Sequence, residues 1–251
     1  MVHFVGAGPG AIDLITVRGK GYIESADIII YAGSLINKEL LSFAKNGCRL
    51  FDSAYMTLEE VIKIISENME CNIVRLHTGD PAFFGAIKEQ MDEMDRLGID
   101  YDVCPGVSSM SGAAASLKLE YTLPGISQGV IVARVEGRTP VPQGQSLKEL
   151  AGHNMTMVIF LSAGLAKKVK SELLDGGLKP DTAVSVVYKA TWEEERIIYT
   201  TINKLPDDME RFQIDKTALI IVGSVLNPSE NDYERSKLYD PGFSTMYRDV
   251  K

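Results

Sequence analysis

The segment Ala26–Ala32 (ADIIIYA) constrains this chain most, because three consecutive isoleucines leave it no polar face to turn toward water. Such a run belongs to a strand covered on both sides, as in a parallel sheet held between helices. Its neighbours repeat the theme. Val2–Val5 is a short apolar run that ends in a glycine loop, and Asn72–His77 (NIVRLH) and Tyr101–Cys104 read as further strands. Helical patterns lie between them. Thr57–Met69 opens with a Thr57/Glu60 capping box and puts Leu58, Val61, Ile62, Ile65 and Met69 on one face. Asp80-Pro81 makes a helix start, Phe83, Phe84, Ile87, Met91, Met94 and Leu97 follow at helical spacing, and Gly98 is the stop. A small-residue helix over Ser108–Leu117 comes after Pro105-Gly106. Strand, turn and helix in alternation predict an α/β layer structure with right-handed crossovers.

The rhythm weakens between Lys118 and Gly129 (KLEYTLPGISQG), where Pro124, Gly125 and Gly129 mark a domain crossing. A chain of 251 residues has room for two modest domains. The expected division is an N-terminal α/β domain over 1–120 and a C-terminal α/β domain over 121–251. In the second half Val130–Val135, Met155–Leu161, Thr182–Tyr188, Arg196–Thr200 and Ala218–Val222 are strand-like. A helix at Leu165–Leu174 ends at Gly176-Gly177, and a shorter one covers about Lys204–Phe212. Strands here follow one another without a helix between them, so a mixed sheet is expected. From Asn227 onward the chain is polar with scattered tyrosines.

Charge and cysteine usage exclude several classes. With 26 basic and 34 acidic residues the net charge is −8, which offers no chain-wide field for nucleic acid or an anionic membrane. Cys48, Cys71 and Cys104 lie far apart with no CxxC, and His3, His77 and His153 show no HExxH, so no metal site is expected. The cysteines read as buried packing residues in a reducing, cytoplasmic setting. The start, MVHFVGAGPG, enters a strand directly and does not read as a signal peptide.

Gly6-Ala7-Gly8-Pro9-Gly10-Ala11 matches GxGxx(G/A) after a strand, the pattern of a dinucleotide pyrophosphate loop. Three features oppose that use. The first credible helix cap is Thr16, so no helix N-terminus stands at the loop to hold phosphates. The helix itself carries Gly19 and Gly21. The next strand ends in Tyr31-Ala32-Gly33, with no acid for a ribose hydroxyl. The loop reads either as a tight exit turn or as a backbone wall that a ligand can approach closely, with Asp13 at its rim. A second turn, Thr78-Gly79-Asp80-Pro81, lies at the carboxyl end of a buried strand, where open α/β sheets bind ligands.

Taken together and in order, VGAGPGAIDLITVRG, ADIIIYAGSLI, LHTGDPAFFG, CPGVSSMSGAAA and IIVGSV resemble the tetrapyrrole (corrin/porphyrin) methylase family over residues 2 to about 225. ARVEGRTPVP, at Ala133–Pro142, together with YAGSLI, is most similar to the branch of that family that methylates carbon 11 of precorrin-4. The resemblance implies two α/β domains with the active site in a cleft between them, a homodimer, and S-adenosylmethionine as methyl donor, leaving as S-adenosylhomocysteine. Carried over by motif, the cofactor contacts are Pro9, Gly79, Asp80, Phe83, Ser108 and Ser109, joined by Leu161, Ala190, Thr217 and Ala218 from the second half. The glycine loop, with Gly8 and Gly10, faces the tetrapyrrole in this family.

Methyl transfer from sulfonium to carbon needs positioning more than a protein nucleophile. Small residues and main-chain amides suit a cofactor pressed against backbone, and Asp80 is placed to accept from its ribose or ammonium. A ring bearing many carboxylates calls for local positive charge in an acidic protein. Arg134 and Arg138 bracket Glu136-Gly137 in an apolar, proline-rich stretch and are the preferred carboxylate ligands. Arg18 and Lys189 are further candidates, whereas Lys20 and Arg75 read better as solvated surface charge. Glu136 either pairs with one of the two arginines or takes a proton, a role open to Asp13 as well. His77 reads as a satisfied core histidine and Trp192 as a surface or cleft aromatic. The alternatives are another corrin-precursor C-methyltransferase, an NAD(P)-dependent oxidoreductase using GAGPGA, and a non-catalytic binding protein.

Overall fold

In the computed structural model, which describes residues 1–227 and 233–250, the isoleucine run becomes β2, the strand Ile28–Tyr31. The chain divides into two compact units, Met1–Ala113 with Lys189–Glu195, and Ala114–Tyr188 with Arg196–Lys251.

The sheet of the first unit contains β1 (Val2–Gly6), β2, β3 (Arg49–Asp52), β4 (Ile73–His77) and β5 (Tyr101–Cys104), in the order β3-β2-β4-β1-β5. Every pairing in it is parallel. Side chains alternate between the two faces. Val5, Ile29, Val74 and Leu76 pack with Ile23 of α1 (Val17–Ser25). Phe4, Ile28, Ile30 and Ile73 pack with Val61 and Ile65 of α2 (Leu58–Ser66) and Met94 of α3 (Lys88–Leu97). The Thr57/Glu60 capping box is present, but α2 stops at Ser66 and Met69 stands 51% exposed beyond it. The helix α4 (Ser109–Leu117) follows β5.

The expected helix start at Asp80-Pro81 does not form. The Asp80 carboxylate accepts from Ala82 N–H at 2.8 Å and bends the chain locally. Phe84 and Ala86 then adopt left-handed backbone, φ 55° and 49°, which no helix accommodates. The helix α3 therefore begins only at Lys88, and Phe83 and Phe84 stay 41% and 45% exposed in the turn. At its other end Gly98 is the left-handed C-cap, φ 66°.

The second unit holds β6 (Val130–Arg134), β7 (Thr156–Phe160), β8 (Ala183–Tyr188), β9 (Arg196–Thr201) and β10 (Ala218–Val222), ordered β6-β7-β10-β8-β9. The sheet is mixed, as expected: β6 and β7 are parallel and the other pairs antiparallel. Met157, Ile159, Val186 and Ile220 meet Leu147 of α5 (Leu147–Ala151), Val169 and Leu173 of α6 (Ala166–Asp175) and Met209 of α7 (Leu205–Arg211). The edge strand β3 and the five-residue α5 had no clear apolar period to announce them. The tyrosine-bearing stretch after Asn227 includes residues 228–232, which lie outside the described residues.

Two open glycines should respond with opposite sign. A Cβ at Gly21 or at Gly98 would meet nothing within 4 Å, but Gly98 has φ +66° and Gly21 sits inside α1. Gly21→Ala should stabilise by roughly 0.5–1 kcal/mol and Gly98→Ala should destabilise by about 1–2 kcal/mol, read from urea denaturation.

Candidate functional site

Parallel pairing brings the carboxyl ends of three strands side by side: Val5 pairs with Leu76 and with Cys104, and Gly6 with His77. The glycine loop, the 78–86 turn and the 105–109 turn thus leave the sheet at one edge. Gly8 N–H donates to Gly79 O at 3.2 Å, and Gly79 N–H donates to Gly8 O at 2.9 Å. A Cβ at Gly6 would lie 2.6 Å from both Gly79 O and Gly106 Cα, and one at Gly106 would lie 2.2 Å from Gly79 O. No side chain fits there, so glycine at these positions lets main chain touch main chain. Asp80 completes the junction: its second carboxylate oxygen accepts from Gly106 N–H at 3.0 Å.

Within the first unit the structure brings together Pro9, Gly79, Asp80, Phe83, Ser108 and Ser109. Phe83 N–H donates to Asp80 O at 3.1 Å. A Cβ at Gly79, where φ is +60°, would face Ser109 N at 3.4 Å and Ser108 Cα at 3.7 Å, and one at Gly112 would lie 3.0 Å from the Pro9 ring. Ser108 is buried. The objection to a phosphate loop holds geometrically. Thr16 caps α1, accepting from Gly19 N–H at 3.0 Å, and the helix starts at Val17, well past Gly10.

The connection between β8 and β9, residues 189–195, also belongs to the first unit. Trp192 Nε1–H donates to Pro9 O at 2.9 Å, and Ala11 N–H donates to Thr191 Oγ1 at 3.0 Å. A Cβ at Gly10 would lie 2.1 Å from the Trp192 ring. Gly10 O accepts from Asn37 Nδ2 at 3.1 Å. The glycine loop is therefore clamped by Thr191, Trp192 and Asn37, none of which the sequence reading connected with it. The available signals were a lone tryptophan and a third glycine with no conformational need of its own. Beside the clamp, Ala190 is buried, and Lys189 and Thr191 hold φ of 48° and 69°. A β-branched residue at positive φ is an outlier that the surroundings must enforce.

Two residues of β4 differ from expectation. Arg75 is buried, not solvated: its Nε donates to Gln90 Oε1 at 2.9 Å and Nη1 to Ile30 O at 3.2 Å. His77 is buried but not satisfied, since Nε2 has no partner. Burial, aided by the Arg75 charge, pushes the His77 pKa down to about 3, and burial lowers Arg75 to about 10. Of the cysteines only Cys104 is buried; Cys48 and Cys71 are half-buried.

In the second unit, Ile220 pairs with Ile159 and Ala218 with Tyr188, so Leu161 and Thr217-Ala218 meet at one end of the sheet. Leu161 and Thr217 both hold left-handed backbone, φ 52° and 53°. Arg134 folds its own loop, donating to Thr139 O at 3.1 Å and Pro140 O at 2.7 Å. Glu136 pairs with Lys168 at 3.3 Å, and with neither arginine. Arg138 is exposed. Among the described residues no group of three His, Cys, Asp or Glu is placed to hold a metal, and no helix is long and apolar enough to cross a membrane.

A parallel sheet whose carboxyl edge carries glycine turns in place of a helix N-terminus, followed by a mixed sheet, defines a two-unit α/β protein without the helix-capped loop of dinucleotide folds. The model of the tetrapyrrole (corrin/porphyrin) methylases matches residues 1–206. The chain is 51% identical over 249 residues to the cobalt-precorrin-4 C(11)-methyltransferase of Methanocaldococcus jannaschii, spanning 98% of this chain and 95% of that one. The crystal structure of a cobalamin biosynthetic enzyme, cobalt precorrin-4 methyltransferase, superposes with a TM-score of 0.88 at 44% identity, covering 90% of this chain and 96% of that one. The uroporphyrin-III C-methyltransferase of Thermus thermophilus, complexed with S-adenosylhomocysteine, does so with 0.75 at 25% identity, covering 90% and 93%. The chain belongs to the tetrapyrrole (corrin/porphyrin) methylases.

Asp80→Ala frees the Gly106 and Ala82 amides at once and should cost about 1–3 kcal/mol in urea denaturation. His77 takes up a proton on unfolding, because its folded pKa near 3 lies below the ordinary value of about 6.5. Stability should therefore fall as pH drops through that window, and His77→Phe should remove up to ~1.4 kcal/mol per pH unit from the slope. Equal slopes for both proteins would mean that His77 titrates inside the fold.

Proposed function

We infer that this chain is an S-adenosylmethionine-dependent methyltransferase that methylates ring carbon 11 of cobalt-precorrin-4 or precorrin-4 in cobalamin biosynthesis. The observation that carries this reading is the glycine junction at Gly6, Gly79 and Gly106, read with the 51% identity to the Methanocaldococcus jannaschii enzyme. The junction leaves bare main chain and small side chains at Pro9, Gly79, Ser108 and Ser109, with Gly79 held at a φ of +60° beside Ser109 N and Ser108 Cα. These residues fit a cofactor held against backbone.

S-adenosylmethionine supplies an electrophilic methyl on a sulfonium. The residues of this chain supply position. Pro9, Gly79, Asp80, Phe83, Ser108, Ser109 and Ala190 form the cofactor-binding set of the first unit, and Leu161, Thr217 and Ala218 that of the second. Asp80 acts by holding two turns together, since both of its oxygens accept from main-chain amides. Fixing donor and acceptor carbon near ~3–3.5 Å supplies much of the rate without a nucleophile. Gly8, Gly10, Arg134 and Arg138 face the macrocycle, with Arg138 free to take a carboxylate and Arg134 shaping the loop that carries it. Asp13, exposed, and Glu136, paired with Lys168, are the carboxylates offered for the released proton.

The enzyme acts in the cytoplasm as a homodimer. Its three cysteines are free, and Tyr239, Phe243, Met246 and Tyr247 of the C-terminal segment are exposed apolar residues for a partner copy to cover.

Ligand-dependent melting separates this reading from the oxidoreductase. S-adenosylhomocysteine at ~100 times its dissociation constant should add ~2.7 kcal/mol of stability, whereas NADH adds none. Methyl-labelled S-adenosylmethionine should then place label on carbon 11, read by NMR of the product. A shift with NADH alone would overturn the assignment, and label on another ring carbon would move the chain to a different branch.

A further inference from the structure

Alternation along β4 puts Ile73, Arg75 and His77 on the face that packs against α2 and α3, a face otherwise built from isoleucine, valine, phenylalanine and methionine. A guanidinium in such a place is costly unless its charge is met. Arg75 makes two hydrogen bonds, to the neutral acceptors Gln90 Oε1 and Ile30 O. Among the described residues no carboxylate forms an ion pair with it, and burial lowers its pKa to about 10. A guanidinium carries five N–H donors, and these two bonds leave Nη2 without a partner among the described residues.

The space for that partner is present. Arg75 and His77 line a cavity of about 270 Å³ at the carboxyl edge of β2 and β4, with Ala32, Thr78, Phe83 and Gln90 around them and the exposed Glu89 as its one carboxylate. His77 Nε2 is a buried polar atom without a partner on the same wall. Gln90 fixes the guanidinium in place, because its own amide is anchored on Ala86 O at 2.8 Å. The cavity is smaller than the ~300–1,000 Å³ that encloses a whole ligand, and it is ample for a short acidic arm. Thr78 and Phe83 belong to the turn that carries Gly79 and Asp80. An arm seated on Arg75 is therefore held in fixed relation to the cofactor turn.

We propose that this cavity is a carboxylate-binding subsite, in which Arg75, steered by Gln90, captures one acidic side arm of the macrocyclic substrate. The proposal rests on the methylase reading for the identity of the ring, and on the unpaired buried cation for the chemistry of the arm.

Uroporphyrin, a stable ring with many carboxylates, is the probe, titrated by fluorescence against the full chain. S-adenosylhomocysteine binding is measured in parallel by calorimetry. Arg75→Met should weaken uroporphyrin by about 10–100-fold, the worth of one charge-assisted hydrogen bond, and leave S-adenosylhomocysteine affinity unchanged. Arg75→Lys, which keeps the buried charge and loses the fork, should fall between the two, and it carries the test if Arg75→Met fails to fold. Lys63→Met, an exposed cation of α2, should change nothing. Unchanged uroporphyrin affinity in a folded Arg75 variant that still binds S-adenosylhomocysteine overturns the subsite, as does a wild-type protein that binds S-adenosylhomocysteine and no uroporphyrin. A wild-type protein that binds uroporphyrin through Arg75 but no S-adenosylhomocysteine upholds the subsite and overturns the methyltransferase reading.

Discussion

Gly6, Gly79 and Gly106 bring three main chains into direct contact at the carboxyl edge of the first sheet, with no volume for a methyl group at Gly6 or Gly106 and a left-handed backbone, φ +60°, at Gly79. Steric exclusion of this kind is less forgiving than a hydrogen bond, because backbone cannot rotate away as a side chain can. The exit of β1, the turn after β4 and the turn after β5 consequently have one mutual arrangement. Asp80 adds two amide hydrogen bonds to it, and the reciprocal pair between Gly8 and Gly79 adds two more. Pro9, Phe83, Ser108 and Ser109 inherit their positions from that junction.

The glycine loop gains a second restraint from far along the chain. Thr191 and Trp192 reach Ala11 and Pro9 across sequence separations of 180 and 183 residues. Such contacts close long loops, and the entropy they cost has to be offset by packing elsewhere. The left-handed backbone at Lys189, Thr191, Leu161 and Thr217 belongs to the same pattern, since strain persists only where surrounding structure over-determines it. These residues flank or include Ala190, Leu161 and Thr217, which we propose as part of the cofactor-binding set. Rigidity is what a positioning enzyme requires of its cradle.

Much of the fold was legible because its signals are local. The isoleucines of β2, the Thr57/Glu60 capping box, the Thr16 cap and the Gly98 stop each act through neighbours within a turn, and each appears where the pattern placed it. The start of α3 was misplaced because Asp80 satisfies two main-chain amides instead of opening a helix, and Phe83 and Phe84 mimic a helical period across a turn. Ordered motifs carried the family. The clamp on Gly10 was not legible, since nothing near GAGPGA refers to a tryptophan in another part of the chain.

By itself the sequence determined most strands of both sheets and the absence of a helix cap at the glycine loop, which follow from apolar spacing and capping, while the order of its motifs carried the resemblance to a methylase family. Tertiary structure decided what those residues touch. It showed that Gly10 makes room for Trp192, that Glu136 pairs with Lys168, and that Arg75 lies buried on the neutral acceptors Gln90 Oε1 and Ile30 O. The physical reason is the parallel sheet: its register sets which side chains on separate strands share a face, and no local pattern along one strand contains the identity of the next.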